Sequence, residues 1–170
     1  TIVNFACHVE SLEKGPREIS ADFPGYMCAQ IKRDGGGQPV FLNGAVGGMV
    51  SGDNPGRTFE SSEEMGLALA AIVHDLEAVA QPPAEFKFSA ERRDVHIPLT
   101  NQNFIGRYEE SPRGLYRGRV ITDMTLVHLG EAQLLTLPGE LLPEVSFEIL
   151  EHMTGFPRVL VGLGNDQLGY

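Results

Sequence analysis

The chain is short of positive charge: 13 Lys and Arg face 23 Asp and Glu in 170 residues, a formal net charge of -10. A field of that sign opposes a phosphate backbone, so non-specific nucleic-acid binding has no electrostatic driving force. Long apolar runs are missing as well. None approaches the roughly 20 residues of a membrane-spanning helix, and no signal peptide or anchor is visible ahead of Ile2-Val3-Asn4-Phe5-Ala6-Cys7. The compartment stays open. Cysteine is scarce, with Cys7 and Cys28 alone. Two are too few for a disulfide scaffold, and both read as small buried apolar residues.

Motifs are missing too. The five histidines stand at 8, 74, 96, 128 and 152, with no His-x-x-x-His pair. Gly44-x-x-Gly47-Gly48 lacks the Lys-Ser/Thr pair of a phosphate-binding loop and reads as a tight turn with close backbone approach. Gly162-x-Gly164 starts like a dinucleotide fingerprint, but position 167 is Gln and no helical pattern follows.

What remains is an ordinary globular composition, 42% hydrophobic over about one domain's length. Residues 2–8 read as a buried strand. Asp22-Phe23-Pro24 supplies an N-cap and an early proline for a helix over about 23–33. After Gly35-Gly36-Gly37 a short strand, Pro39-Val40-Phe41-Leu42, runs into the glycine-rich stretch 43–48. Ser61-Ser62-Glu63-Glu64 reads as a capping box. It opens a helix whose core face carries Met65, Leu69, Ile72, Val73, Leu76 and Ala80 until Pro82-Pro83.

Residues 86–99 read as a strand pair or an irregular edge, and the Arg-rich stretch 101–118 as a long loop that could wall a site. Residues 122–129 and 132–137 form a hairpin around Gly130-Glu131. A helix from Pro143 and a strand over 158–162 complete the pattern. Strands alternating with helices around one antiparallel hairpin predict an α/β fold with a mixed sheet and flanking helices. Thr1 opens directly into a strand and Tyr170 follows a Gly-rich turn, so the chain is expected to be part of a larger catalytic domain.

Ligands of open α/β sheets collect at the carboxyl ends of strands. His8, Glu140 and Tyr170 stand there, and imidazole, carboxylate and phenol oxygen are all permissible zinc ligands. On residue types alone His8 could equally be a structural histidine.

Four blocks carry a resemblance: Asn4-Phe5-Ala6-Cys7-His8, Ile19 to Gly25, Leu137-Pro138-Gly139-Glu140, and Gly162 to Tyr170. Together, and in this order, they resemble the neutral/alkaline (non-lysosomal) ceramidase family. The resemblance implies a zinc-dependent amidase of an N-acylated, lipid-like substrate, with His8, Glu140 and Tyr170 as metal ligands. The family's remaining ligand is a His in a Thr-His-Thr-His-like motif well before the first of these blocks; nothing like it occurs here, so that His is expected ahead of Thr1, on a companion chain, or not at all. Asp22 falls in the family-like Ser-Ala-Asp block, as a polar neighbour of the metal ligands or as a helix N-cap.

Two departures leave the substrate open. Where the family carries a Gly-Asp-x-Ser-Pro-like loop with a functional serine, this chain reads Gly47-Gly48-Met49-Val50-Ser51. The acid and the proline are gone, and Ser51 is displaced by one. Val9-Glu10 also replaces a Pro-containing turn. Three readings follow: a zinc amidase acting by metal-activated water, a non-catalytic relative that keeps the fold for binding or structure, and a hydrolase of a non-lipid amide or ester.

Overall fold

The computed structural model describes residues 1–12, 18–48, 50–54, 56–83, 85–109 and 115–168, with the backbone alone for 107–109. Ten elements follow in order: β1 (Ile2–Phe5), α1 (Asp22–Arg33), β2 (Val40–Asn43), α2 (Phe59–Val79), β3 (Phe88–Pro98), α3 (Gln102–Glu109), β4 (Arg119–Leu129), β5 (Ala132–Thr136), α4 (Pro143–His152) and β6 (Arg158–Val161). The α/β class and the mixed pairing predicted from the sequence are what is found, divided over two sheets. β1 and β2 pair in parallel. The other sheet has the order β3-β4-β5-β6, antiparallel except for the parallel pair β5-β6.

Helices α1 and α2 cover one face of β1 and β2. Phe23, Met27 and Ile31 recur every four residues along α1 and are fully buried. Each such side chain contributes roughly 1.5–3 kcal/mol of burial. Met27 and Ile31 pack with Ala70 and Val73 of α2 and with Val3 and Phe41 of the sheet. Phe23 meets Phe5 and Phe41 edge to face, at centroid distances of 6.5 and 5.8 Å. On the opposite face of β1 the Asn4 amide reaches the second sheet, donating to Leu160 O at 3.0 Å.

The buried seam of α2 differs from the one read off the sequence. Ser62, Gly66, Ala70 and Val73 face the core, while Ile72 is 54% and Leu76 62% exposed. The cause is Gly66: a Cβ there would lie 2.6 Å from Phe23 O and 2.9 Å from Met27 N. Small residues let α1 approach too closely for the larger stripe to turn inward. The capping box is also shifted, to Thr58 and Ser61: Ser61 N donates to Thr58 Oγ1 at 3.2 Å, and Thr58 N to Ser61 Oγ at 2.9 Å. Residues 88–98 form one long edge strand, and α3 occupies part of the expected 101–118 loop. No helix among the described residues is long and apolar enough to cross a membrane.

A polar clamp joins α1, α2 and the start of β1. His74 Nε2 lies 2.9 Å from Asp34 Oδ2, and its Nδ1 lies 3.4 Å from Glu77 Oε2. Glu77 also accepts from the Thr1 hydroxyl. Hydrogen bonds from Gln30 and His74 hold the Asp34 carboxyl below its usual range, and those from Thr1 and His74 do the same for Glu77. Carboxyls depressed in the folded state stabilise it above the ordinary value near 4, and that contribution fades as pH falls through the folded values. The urea midpoint is therefore expected to drop on going from pH 6 to pH 3. Asp34→Asn should flatten this dependence, and an unchanged slope would show that the clamp contributes nothing.

Candidate functional site

The carboxyl ends of β1, β2, β5 and β6 meet at one edge of the molecule, held there by the backbone. Gly162 N, just past β6, donates to Asn43 O at the end of β2 at 3.0 Å. The turn after β5 is bonded to the segment after β6: Leu163 N donates to Gly139 O at 3.0 Å, Gly164 N to Leu137 O at 2.9 Å, and Leu168 N to Pro138 O at 3.2 Å. Two of the sequence blocks, 137–140 and 162–168, are thus one hydrogen-bonded unit. Leu163 and Asn165 take positive φ values of 57° and 69° to make it.

The glycine-rich stretch after β2 links this unit to β1. Gly47 N donates to Leu141 O at 2.7 Å, while Val50 O accepts from His8 N at 2.8 Å. A Cβ at Gly47 would stand 2.5 Å from the Leu141 carbonyl, so only glycine admits this contact. Asn43, with its amide turned to suit its neighbours, donates to Phe5 O at 3.1 Å and Cys7 O at 2.8 Å. Asn43, Gly47 and Val50 had no signal in periodicity, because their work is done by backbone groups and one amide.

These bonds bring His8 and Glu140 together. His8 Nε2 lies 3.9 Å from Glu140 Oε2, with the side chains 18% and 16% exposed. That separation is too long for a hydrogen bond, and Nε2 is buried without a partner. A buried polar atom left unbonded costs about 1–3 kcal/mol. Nε2 and a carboxylate oxygen facing one gap are donor atoms of the right kind for zinc. Among the described residues no group of three His, Cys, Asp or Glu side chains converges, so this pair would be at most part of a ligand set. Tyr170 lies outside the described residues.

The two other residues singled out from the sequence are placed differently. Asp22 is 6% exposed and takes a φ of 55°. Its carboxylate accepts from Ser11 N at 2.9 Å, Phe23 N at 2.7 Å, the Ser11 hydroxyl, and more weakly Ser62 Oγ at 3.4 Å. Its hydrogen bonds thus run to Ser11, Ser62 and its own helix start. The N-cap position belongs to Ala21, with no side-chain cap. Ser51 Oγ donates to Glu10 Oε1 at 2.7 Å in an exposed hollow that His8 and Arg57 also line. Beside it, Cys7 is 3% exposed and burial pushes its thiol up, an inert buried cysteine as expected.

Glu140 also lines a cleft of about 490 Å³ between the ribbon β3-β4, α3 and α4. Its walls include Ile97, Phe104, Val120, Met124 and Ile149, and Glu140 is the one charged residue among the described lining. Volume and apolarity are those of a small-molecule site. The stretch 101–118, expected to wall a site, contributes Asn101 and Phe104 to this cleft; the other walls come from separated elements, β3, β4 and α4, that carry no shared signal.

No family model matches the chain, and no curated protein matches it in sequence. Solved structures share its fold, among them two ceramidases. The neutral ceramidase from Pseudomonas aeruginosa aligns with a TM-score of 0.73 at 17% identity, over 99% of this chain and 38% of that one. A ceramidase solved in complex with C2 aligns at 0.71 and 16% identity, over 99% of this chain and 39% of that one. The chain thus has a ceramidase-like fold and spans under two fifths of the length of these two structures.

Proposed function

We propose that this chain is part of a zinc-dependent hydrolase that cleaves the carbon-nitrogen bond of an N-acylated, lipid-like substrate. The observation that carries the reading is His8 Nε2, buried, unbonded and 3.9 Å from Glu140 at the meeting point of four strand ends. The ceramidase-like fold supports it. His8 and Glu140 would hold the zinc, joined by Tyr170 and by a histidine from polypeptide outside this sequence. When bound, zinc polarises an amide carbonyl and lowers the pKa of a water to about 7.

The chain's own residues do the rest. For Nε2 to ligate, the His8 ring proton sits on Nδ1, and the bond from His8 N to Val50 O fixes the backbone that aims the ring. Glu140 is aimed by the Pro138-Gly139 turn and by the Gly47–Leu141 contact. The apolar cleft beside Glu140 would take the acyl portion of the substrate. A second reading, a non-catalytic relative, draws on Gly48, which stands where the resemblance expects an acid, and on the partial ligand set.

Elemental analysis of the longest available form of the polypeptide separates the two. About one zinc per chain is expected, lost in both His8→Ala and Glu140→Ala. A folded wild type without zinc would move the assignment to the non-catalytic relative. With zinc present, rates over a series of N-acyl chain lengths test the cleft: a flat series points to a small polar amide or ester.

A further inference from the structure

The tip of the β3-β4 ribbon carries a second feature, independent of the hydrolase site. Tyr116 and Arg119 exchange backbone hydrogen bonds of 2.9 and 3.1 Å around Arg117 and Gly118, both at positive φ, 52° and 72°. This is a two-residue hairpin turn of the primed kind, whose first position is ordinarily Asn, Asp or Gly. Arginine in left-handed backbone costs about 1–2 kcal/mol. That conformation sets the Arg117 guanidinium 5.3 Å from the centre of the Tyr116 ring.

The register fixes what else faces the same way. Pro98 pairs with Arg119 and His96 with Ile121, so His96, Arg119 and Tyr116 share one face of the ribbon. Ile97 and Val120 turn to the apolar cleft on the other. His96, Tyr116, Arg117 and Arg119 line a groove of about 390 Å³ with no acid among its described lining. In a chain of net charge -10 that is a local reversal of sign. The other cations of this ribbon are neutralised: Arg92 by Asp123 at 2.8 Å, Arg93 by Glu91 at 2.5 Å, and Lys87, just before β3, by Glu85 at 2.9 Å. Arg117 and Arg119 have no carboxylate partner among the described residues.

We propose that this groove binds an oxyanion of the phosphate or sulfate class, free in solution or as a lipid headgroup. Two guanidinium groups offer forked N–H donors that match a tetrahedral anion, and the Tyr116 hydroxyl and His96 ring add donors beside them. Inorganic phosphate and vesicles of phosphatidylcholine with or without phosphatidylglycerol are titrated against wild type, the double variant Arg117→Ala/Arg119→Ala, and Arg93→Ala. Saturable binding is expected in wild type and Arg93→Ala, weaker by about tenfold or more in the double variant, and weaker with added NaCl. Phosphate binding with this pattern identifies a free-anion site. Binding of phosphatidylglycerol vesicles alone, with the same pattern, identifies a headgroup site. Saturation by neither, or equal binding by the double variant, overturns the proposal.

Discussion

Replacing Gly162 with alanine is expected to destabilise the chain more than any other single-methyl change in it. The added Cβ would stand 2.1 Å from Gly44 O, and Gly44 cannot retreat, because a Cβ on it would itself be 2.9 Å from Ala6. Both partners are backbone, so no rotamer relieves the clash. Separating them also breaks the 3.0 Å bond from Gly162 N to Asn43 O. Overpacking of this kind costs roughly 3 kcal/mol or more, a fall in Tm of roughly 6–12 °C for a chain of this size. Gly106→Ala is the control: nothing lies within 4 Å of its Cβ and it sits in α3, so the change should be neutral or slightly stabilising. Matching thermal melts for the two variants would show that the sheet ends are not in contact as described.

That contact shows why the fold was more legible than the site. Strands β1, β2 and β6 and helices α1 and α4 follow from local signals: apolar runs, Phe23-Met27-Ile31 at helical spacing, Pro143 opening a helix. The α2 seam was misjudged because hydrophobicity favoured Ile72 and Leu76, whereas Gly66 and Ala70 decide how near α1 can come. The helix α3 was missed in a stretch whose polar residues and Gly106 hide its period. His8 and Glu140 stood out as polar residues at strand ends. Their mutual approach depends on Gly47, Val50, Gly162 and Asn43, whose long-range backbone contacts leave no periodic trace. Glycine-rich segments after strands thus marked where the candidate site lies, without saying what meets there.

Asp22 gives the second large effect, and it separates support of the fold from support of a metal. Its carboxylate ties three pieces of chain together: Ser11, a few residues past His8, the start of α1, and Ser62, which is fully buried in α2. Asp22→Ala leaves the Ser11 and Phe23 amides without their acceptor, at about 1–3 kcal/mol for each buried group, while the Ser11 hydroxyl keeps Ser62 Oγ at 2.8 Å. It also puts alanine at a φ of 55°, which aspartate tolerates better. The sum is roughly 3 kcal/mol or more, a Tm loss of roughly 6–12 °C. Asp22→Asn keeps the shape and the backbone preference but turns one acceptor into a donor. The hydroxyls of Ser11 and Ser62 can rotate to accept from it; the Ser11 and Phe23 amides cannot, so an intermediate loss is expected. Below their melting ranges both variants should bind as much zinc as wild type, unlike His8→Ala, because among the described residues the Asp22 carboxylate accepts from Ser11, Phe23 and Ser62 and not from His8. An Asp22→Asn chain that melts like wild type yet loses zinc would reverse this, and would make Asp22 a partner of the His8 ring.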